Sequence, residues 1–88
     1  MKKRISIIGG GVSGLGAALL AKSKNNRVFL SDKNQLNNKI KQILKSNYIN
    51  YEEGHHSNNL FSSDLIIKSP GISDNSLIVK QIKEKGIP

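Results

Sequence analysis

The residues best placed to do chemistry are the glycines of Gly9-Gly10-Gly11-Val12-Ser13-Gly14, near the start of the chain. Spaced G-x-G-x-x-G, between a β-branched run and a helix-like one, they fit a loop that presents main chain to a phosphate. Gly9 allows the tight turn. Gly11, without a Cβ, lets a pyrophosphate approach, and Gly14 lets the new helix pack close to a sheet. The unpaired N–H groups of that helix's first turn, at the positive end of its dipole, face the anion. Ser13 adds a hydroxyl that either caps the helix or donates to a phosphate oxygen. This spacing speaks for nucleotide binding and leaves the nucleotide open.

Two further positions belong with the loop. Asp32 follows a second apolar run, where a carboxylate accepts from ribose hydroxyls or from a base N–H. The plain alternative is a solvated turn aspartate beside Lys33. Ser69-Pro70-Gly71-Ile72 ends a later apolar run, and Pro-Gly suits a type II turn with positive φ at Gly71. All three fall at carboxyl ends of expected strands, the rim on which open α/β sheets bind ligands. His55 and His56 read as a solvated loop, because there is no cysteine and few carboxylates are at hand to complete a metal shell. No nucleophile–base–orienter set and no G-x-x-x-x-G-K-[ST] loop is present. No catalytic residue and no metal ligand is expected; this segment binds.

The elements that must position these residues alternate. Ile5–Ile8, Arg27–Ser31, Tyr48–Glu52 and Leu65–Lys68 read as strands. Helices are expected over Ser13–Lys24, Asn37–Lys45 and Ser76–Lys85, with a short helical turn at Asn58–Ser63. Asn25-Asn26 stops the first helix. Asp74 or Asn75 is placed to cap the last, and Gly86 to follow its end. The expectation is a Rossmann-like parallel sheet of about four strands with flanking helices and right-handed crossovers. The sequence stops where the alternation calls for another strand, so the final strand is expected to be truncated and a neighbouring edge left unpaired.

Eighty-eight residues make one small domain, spanning 1–88. The absence of cysteine excludes a disulfide framework and a thiolate metal site. Fourteen basic residues against six acidic give a net charge of +8. The lysines are scattered, only two residues are arginine, and no aromatic platform offers base stacking, so nucleic acid is not the expected partner. The surplus charge instead helps attract a polyanionic nucleotide. Lys2-Lys3-Arg4 and the apolar stretch after it imitate a secretory signal, but five glycines in that stretch make a poor apolar helix. A soluble, cytoplasmic, monomeric chain without a membrane partner is expected.

Taken together, I-I-G-G-G-V-S-G-L-G-A-A, V-F-L-S-D, E-E-G-H-H, S-D-L-I-I-K-S-P-G-I and I-K-E-K-G-I-P resemble the N-terminal domain of the UDP-N-acetylmuramoyl-L-alanine:D-glutamate ligases, the MurD family of Mur ligases. The resemblance covers essentially the whole chain, and the S-P-G-I turn is its most specific part. It implies a Rossmann-like domain that holds the UDP part of the substrate, within a longer three-domain enzyme of peptidoglycan synthesis. ATP and Mg²⁺ would bind in a central domain beyond these residues. There ATP phosphorylates the substrate's terminal carboxylate, and the amine of D-glutamate attacks the acyl phosphate. By motif position, Gly11, Val12, Ser13 and Gly14 would lie against the diphosphate, Asp32 and Lys33 would face the uracil, and Gly71 would close the pocket opposite. Some members carry Arg two residues past the Asp; here Asn34 stands there, without a guanidinium's charge or stacking, and Lys33 would substitute in part. The glycine loop alone also fits an NAD- or FAD-binding oxidoreductase module or a nucleotide-sensing regulatory domain.

Overall fold

The computed structural model describes residues 2–88. Arg4–Ile8 forms β1, Val12–Ser23 α1, Arg27–Asp32 β2, Asn38–Ser46 α2, Asn50–Glu53 β3, Leu65–Lys68 β4 and Leu77–Glu84 α3, with a 3-10 turn at Asn58–Ser62 between β3 and β4. The four strands pair in parallel in the order β3-β2-β1-β4. Chain progression thus runs outward from β1 through β2 to β3, then returns across β1 to β4. The reversal places a topological switch point between β1 and β4, at whose carboxyl ends a crevice opens.

β1 lies at the centre, and Ile5, Ile7 and Ile8 are buried, as a parallel strand covered on both faces requires. One face carries Ile5, Ile7, Val28 and Leu30 under α1 and α2, which contribute Ala18, Ala21 and Leu44. The other face carries Ile8, which packs with Leu60 of the 3-10 turn and with Ile78, Val79 and Ile82 of α3. In α1 the residues that turn inward are small, Gly14, Ala18 and Ala21, at helical spacing. Small residues bring that helix axis close to the sheet.

The expected alternation holds, and the four-stranded parallel sheet with flanking helices is as read from the sequence. Three local readings change. Tyr48 does not begin β3; it has φ of +58° and lies exposed after α2. Its N–H donates to Lys45 O, and the Ile49 N–H donates to Leu44 O. These two bonds are the Schellman pattern that satisfies the last carbonyls of a helix. Asn25 ends α1 and Gly86 ends α3 in the same way, each at positive φ. The cap of α3 is Ser76, not Asp74 or Asn75, and its hydroxyl makes no capping bond. Gly71 is not at positive φ, so Ser69–Ile72 closes through the Ile72 N–H to Ser69 O without the type II geometry. At the end of the chain, Pro88 O accepts from Ile66 N, so this residue runs beside β4.

Three helices therefore end on three left-handed residues, and only one of them is glycine. A side chain with a Cβ pays roughly 1 kcal/mol in that conformation. Replacing Tyr48 by Gly should raise unfolding stability by about 0.5–1 kcal/mol, since Tyr48 is exposed and little packing is lost. Urea denaturation of the two chains measures this. A destabilised Tyr48→Gly chain would show that the ring, not the backbone, governs the α2 terminus.

Candidate functional site

The glycine loop leaves β1 under tight confinement. Gly9 has φ of +102°, and its N–H donates to Ser31 O at 2.8 Å. A Cβ on Gly9 would lie 2.7 Å from Ser69 Cβ, and one on Gly10 would collide with the Leu36 side chain. A Cβ on Gly14 would run into the Gly9 carbonyl. Gly11 differs. It caps α1 with φ of −77°, and a Cβ there would meet nothing within 4 Å. No side chain caps α1, so its first-turn amides remain available beside that open space.

Hydrogen bonds from the neighbouring rim loops fix this backbone. Asp32 Oδ2 accepts from Gly10 N at 2.7 Å, and Oδ1 accepts from Asn34 N at 2.8 Å. Glu53 accepts from Leu36 N at 2.8 Å and from Lys41 Nζ at 3.1 Å, while Gly54 N donates to Asn34 O. On the β4 side, Lys68 Nζ donates to Ile72 O at 2.7 Å and pairs with Asp74 at 3.3 Å. The S-P-G-I turn is thereby held from within by the last residue of β4.

These loops enclose a cleft of about 640 Å³ over the switch point. That volume lies within the range of small-ligand sites. Gly11, Asp32 and Lys33 line it, beside Gly9 and Gly10. Val12 and Ser13 are exposed on the first turn of α1 and outside the lining; Ser13 makes no capping bond. Gly14 is buried beneath the loop. Gly71 is exposed and also outside the lining, and its turn reaches the cleft through Ser69 and Ile72. The opposing wall comes from α3: Ser76, Leu77, Ile78 and Gln81. Ser76 Oγ is inaccessible and has no hydrogen-bond partner among the described residues.

His56 is the residue whose place the sequence reading missed. It lines the cleft, and its Nδ1 lies 2.7 Å from the buried Ser31 Oγ. Ser31 in turn reaches Glu52 Oε2 at 2.6 Å, and Glu52 also accepts from Ser57 N. The loop carrying His55 and His56 follows β3, so the rim rule that gathered the other three loops reaches this one too. His55, by contrast, is exposed, with Nε2 3.6 Å from Glu52 Oε1. Among the described residues no group of three His, Cys, Asp or Glu side chains is placed to hold a metal ion. Among the described residues no helix is long and apolar enough to cross a membrane.

Burial pushes the His56 imidazole below its ordinary 6.5, against the attraction of Glu52 and Asp32. Burial raises the Glu52 carboxyl, but hydrogen bonds from Ser31 and Ser57 outweigh it and leave the group below its ordinary 4.5. Glu53 is lowered as well, by the Leu36 N–H and then by Lys41.

A doubly wound α/β domain with its cleft at the switch point is the class that this sheet order and loop define. The family model of the MurD N-terminal domain matches residues 4–78, and the chain belongs to that family. It is 47% identical over 88 residues to the UDP-N-acetylmuramoylalanine–D-glutamate ligase of Christiangramia forsetii, covering 99% of this chain and 20% of that protein. Against the ligase of the same name from Bacteroides thetaiotaomicron the figures are 45% over 87 residues, 98% and 20%. The chain thus spans about a fifth of the length of these relatives. Among solved structures, a pseudomurein peptide ligase type C from Methanothermus fervidus superposes with a TM-score of 0.85 at 32% identity, over 97% of this chain and 18% of that one. The UDP-N-acetylmuramate–alanine ligase MurC of Thermotoga maritima shares the fold, with a TM-score of 0.79 at 24% identity over 98% and 20% of the two chains.

The three shifted groups act on stability in one direction. Each has a folded pKa below its unfolded value, so the unfolded chain binds more protons between the two and acid favours unfolding. Stability should fall as pH drops below about 6.5 through the folded pKa of His56, and again below about 4.5 through those of Glu52 and Glu53. Thermal melts from pH 8 to pH 3 measure both phases. His56→Gln should remove the first and leave the second, whereas an unchanged first phase in that variant would assign it elsewhere.

Proposed function

We propose that this chain is the UDP-binding domain of an ATP-dependent ligase that joins D-glutamate to UDP-N-acetylmuramoyl-L-alanine in peptidoglycan synthesis. The observation that carries this reading is the switch-point cleft, with the uncapped first turn of α1 at one end and Asp32 and Lys33 along its wall, in a chain of the MurD N-terminal family. The names of its ligase relatives support the substrate assignment.

In this reading the diphosphate lies against Gly11 and the amides of Val12, Ser13 and Gly14. The helix dipole and the first-turn N–H groups favour its charge there. Open space at Gly11 lets the anion reach the main chain. Asp32 and Lys33 face the uracil, with Asn34 beside them, and the turn containing Gly71 closes the opposite side through Ser69 and Ile72. Asp32 contributes twice, because the carboxylate that fixes Gly10 N and Asn34 N keeps lone pairs for a ligand donor.

ATP and Mg²⁺ act at sites outside these 88 residues, as do the groups that receive D-glutamate. The domain holds the substrate by its nucleotide, and acyl phosphate formation and amine attack take place on the rest of the enzyme. It works in the cytoplasm, as a monomer, without a membrane or nucleic-acid partner.

Titration calorimetry separates this reading from a redox-cofactor module. UDP and UDP-N-acetylmuramoyl-L-alanine should bind, weakly in the absence of the rest of the enzyme, and NAD should not compete. A millimolar Kd corresponds to only about −4 kcal/mol. Gly11→Val should abolish measurable binding, and the open space at that position should leave the fold intact. Tighter binding of NAD than of UDP, or a folded Gly11→Val chain that binds UDP like the parent, would contradict the assignment.

A further inference from the structure

The hydrogen-bond chain behind the cleft wall fixes where the His56 proton sits. Ser31 Oγ has three polar neighbours: Glu52 Oε2 at 2.6 Å, His56 Nδ1 at 2.7 Å and His55 O at 3.4 Å. A hydroxyl has one hydrogen to give. Glu52 is ionised near neutral pH: burial raises its pKa, but the bonds from Ser31 and Ser57 prevail. An ionised carboxylate only accepts, so the Ser31 hydrogen goes to Glu52, its nearest and only charged neighbour. The Ser31 oxygen is then left to accept from His56. Nδ1 therefore carries the imidazole proton, and in the neutral ring Nε2 is a bare acceptor.

That acceptor is free. His56 Nε2 makes no hydrogen bond within the described residues, and it is not among their buried unpartnered atoms. His56 lines the cleft, and Nε2 is the unbonded, accessible nitrogen of its ring. Its place along the rim bears on what it meets. The phosphate loop follows β1, Asp32 ends β2 and His56 comes from the loop after β3, in the sheet order β3-β2-β1-β4. Successive strands lie about 4.8 Å apart, so β3 ends about 10 Å along the rim from the phosphate loop, at the nucleoside end of a bound diphosphate. Uracil presents a single ring N–H, at N3, between two carbonyls. Cytosine presents a lone pair at the same atom.

We propose that His56 determines base specificity in this cleft, with its Nε2 accepting the N3–H of uracil and opposing the N3 lone pair of cytosine. Ser31 and Glu52 are its positioning residues, because they hold the tautomer. This rests on the reading of the cleft as a UDP site. Glu52 and Asp32 favour the protonated ring, Lys33 and His55 disfavour it, and burial, the largest influence, keeps it neutral near pH 7. On acidification Nε2 gains a proton and becomes a donor, so the preference for uracil falls.

NMR titration of the chain with UDP and CDP tests this. Long-range proton–nitrogen spectra at pH 7.5 should show His56 as the Nδ1–H tautomer, with the Nε2 resonance moving on addition of UDP and not of CDP. UDP should bind about tenfold more tightly than CDP, the effect of one well-placed hydrogen bond. His56→Phe should bring that ratio near one. Ser31→Ala, which keeps the ring but releases the tautomer, should lower it, as should acidification through the titration of His56 in the parent chain, followed by its own ring resonances. An Nε2–H tautomer, equal affinities for UDP and CDP, or a ratio unchanged in folded His56→Phe would each overturn the proposal while leaving the UDP site intact. Failure of both nucleotides to bind the parent chain would overturn the UDP reading itself, and this inference with it.

Discussion

Steric confinement of the glycine loop is the constraint on which the rest of the site depends. Three of its glycines are walled in by three different elements: Gly9 by Ser69 after β4, Gly10 by Leu36 after β2, and Gly14 by the carbonyl of Gly9 itself. A methyl group at any of the three would push these elements apart, and an interior at crystal-like density has little slack to absorb that. The loops after β2 and β4 and the start of α1 thus share one van der Waals boundary. Gly11 alone stands outside it, on the open side. The same geometry that locks the loop's back leaves its front free for an anion.

A layer of carboxylates sets the rim around that boundary. The chain has six acidic residues, and three of them, Asp32, Glu52 and Glu53, accept main-chain N–H groups of rim loops. Such charge-assisted bonds are stronger than neutral ones and fix loops that have few apolar anchors. Their negative charge is spent inside the protein on amides, while the lysines remain at the surface and give the chain its positive field. Lys68 does the converse for the β4 loop, donating inward to the Ile72 carbonyl. Each rim loop is therefore tied by a side chain from a strand end.

The sheet and its helices were legible in the sequence because apolar periodicity and the stops at Asn25 and Gly86 agree with the final packing. So was the convergence of the glycine loop, Asp32 and the S-P-G-I turn on one rim, since it follows from parallel strands alone. What escaped was local. Tyr48 at positive φ is invisible to a reading that looks for Gly or Asn there, because the α2 terminus overrides the residue's own preference. Pro70-Gly71 permits a type II turn without requiring one, and Gly71 keeps a φ that is not positive. Nothing around His56 in the sequence points to its partner: Ser31 lies twenty-five residues earlier and meets it only through strand pairing.

In the proposed UDP site, the open front of the glycine loop holds a phosphate. Amide chemical-shift mapping with UDP and, separately, with uridine tests it most directly. Both ligands should perturb Asp32, Lys33 and His56, and UDP alone should perturb Gly11, Val12 and Ser13. Equal perturbation of those three amides by uridine, or their indifference to UDP while the Asp32 end responds, would contradict it.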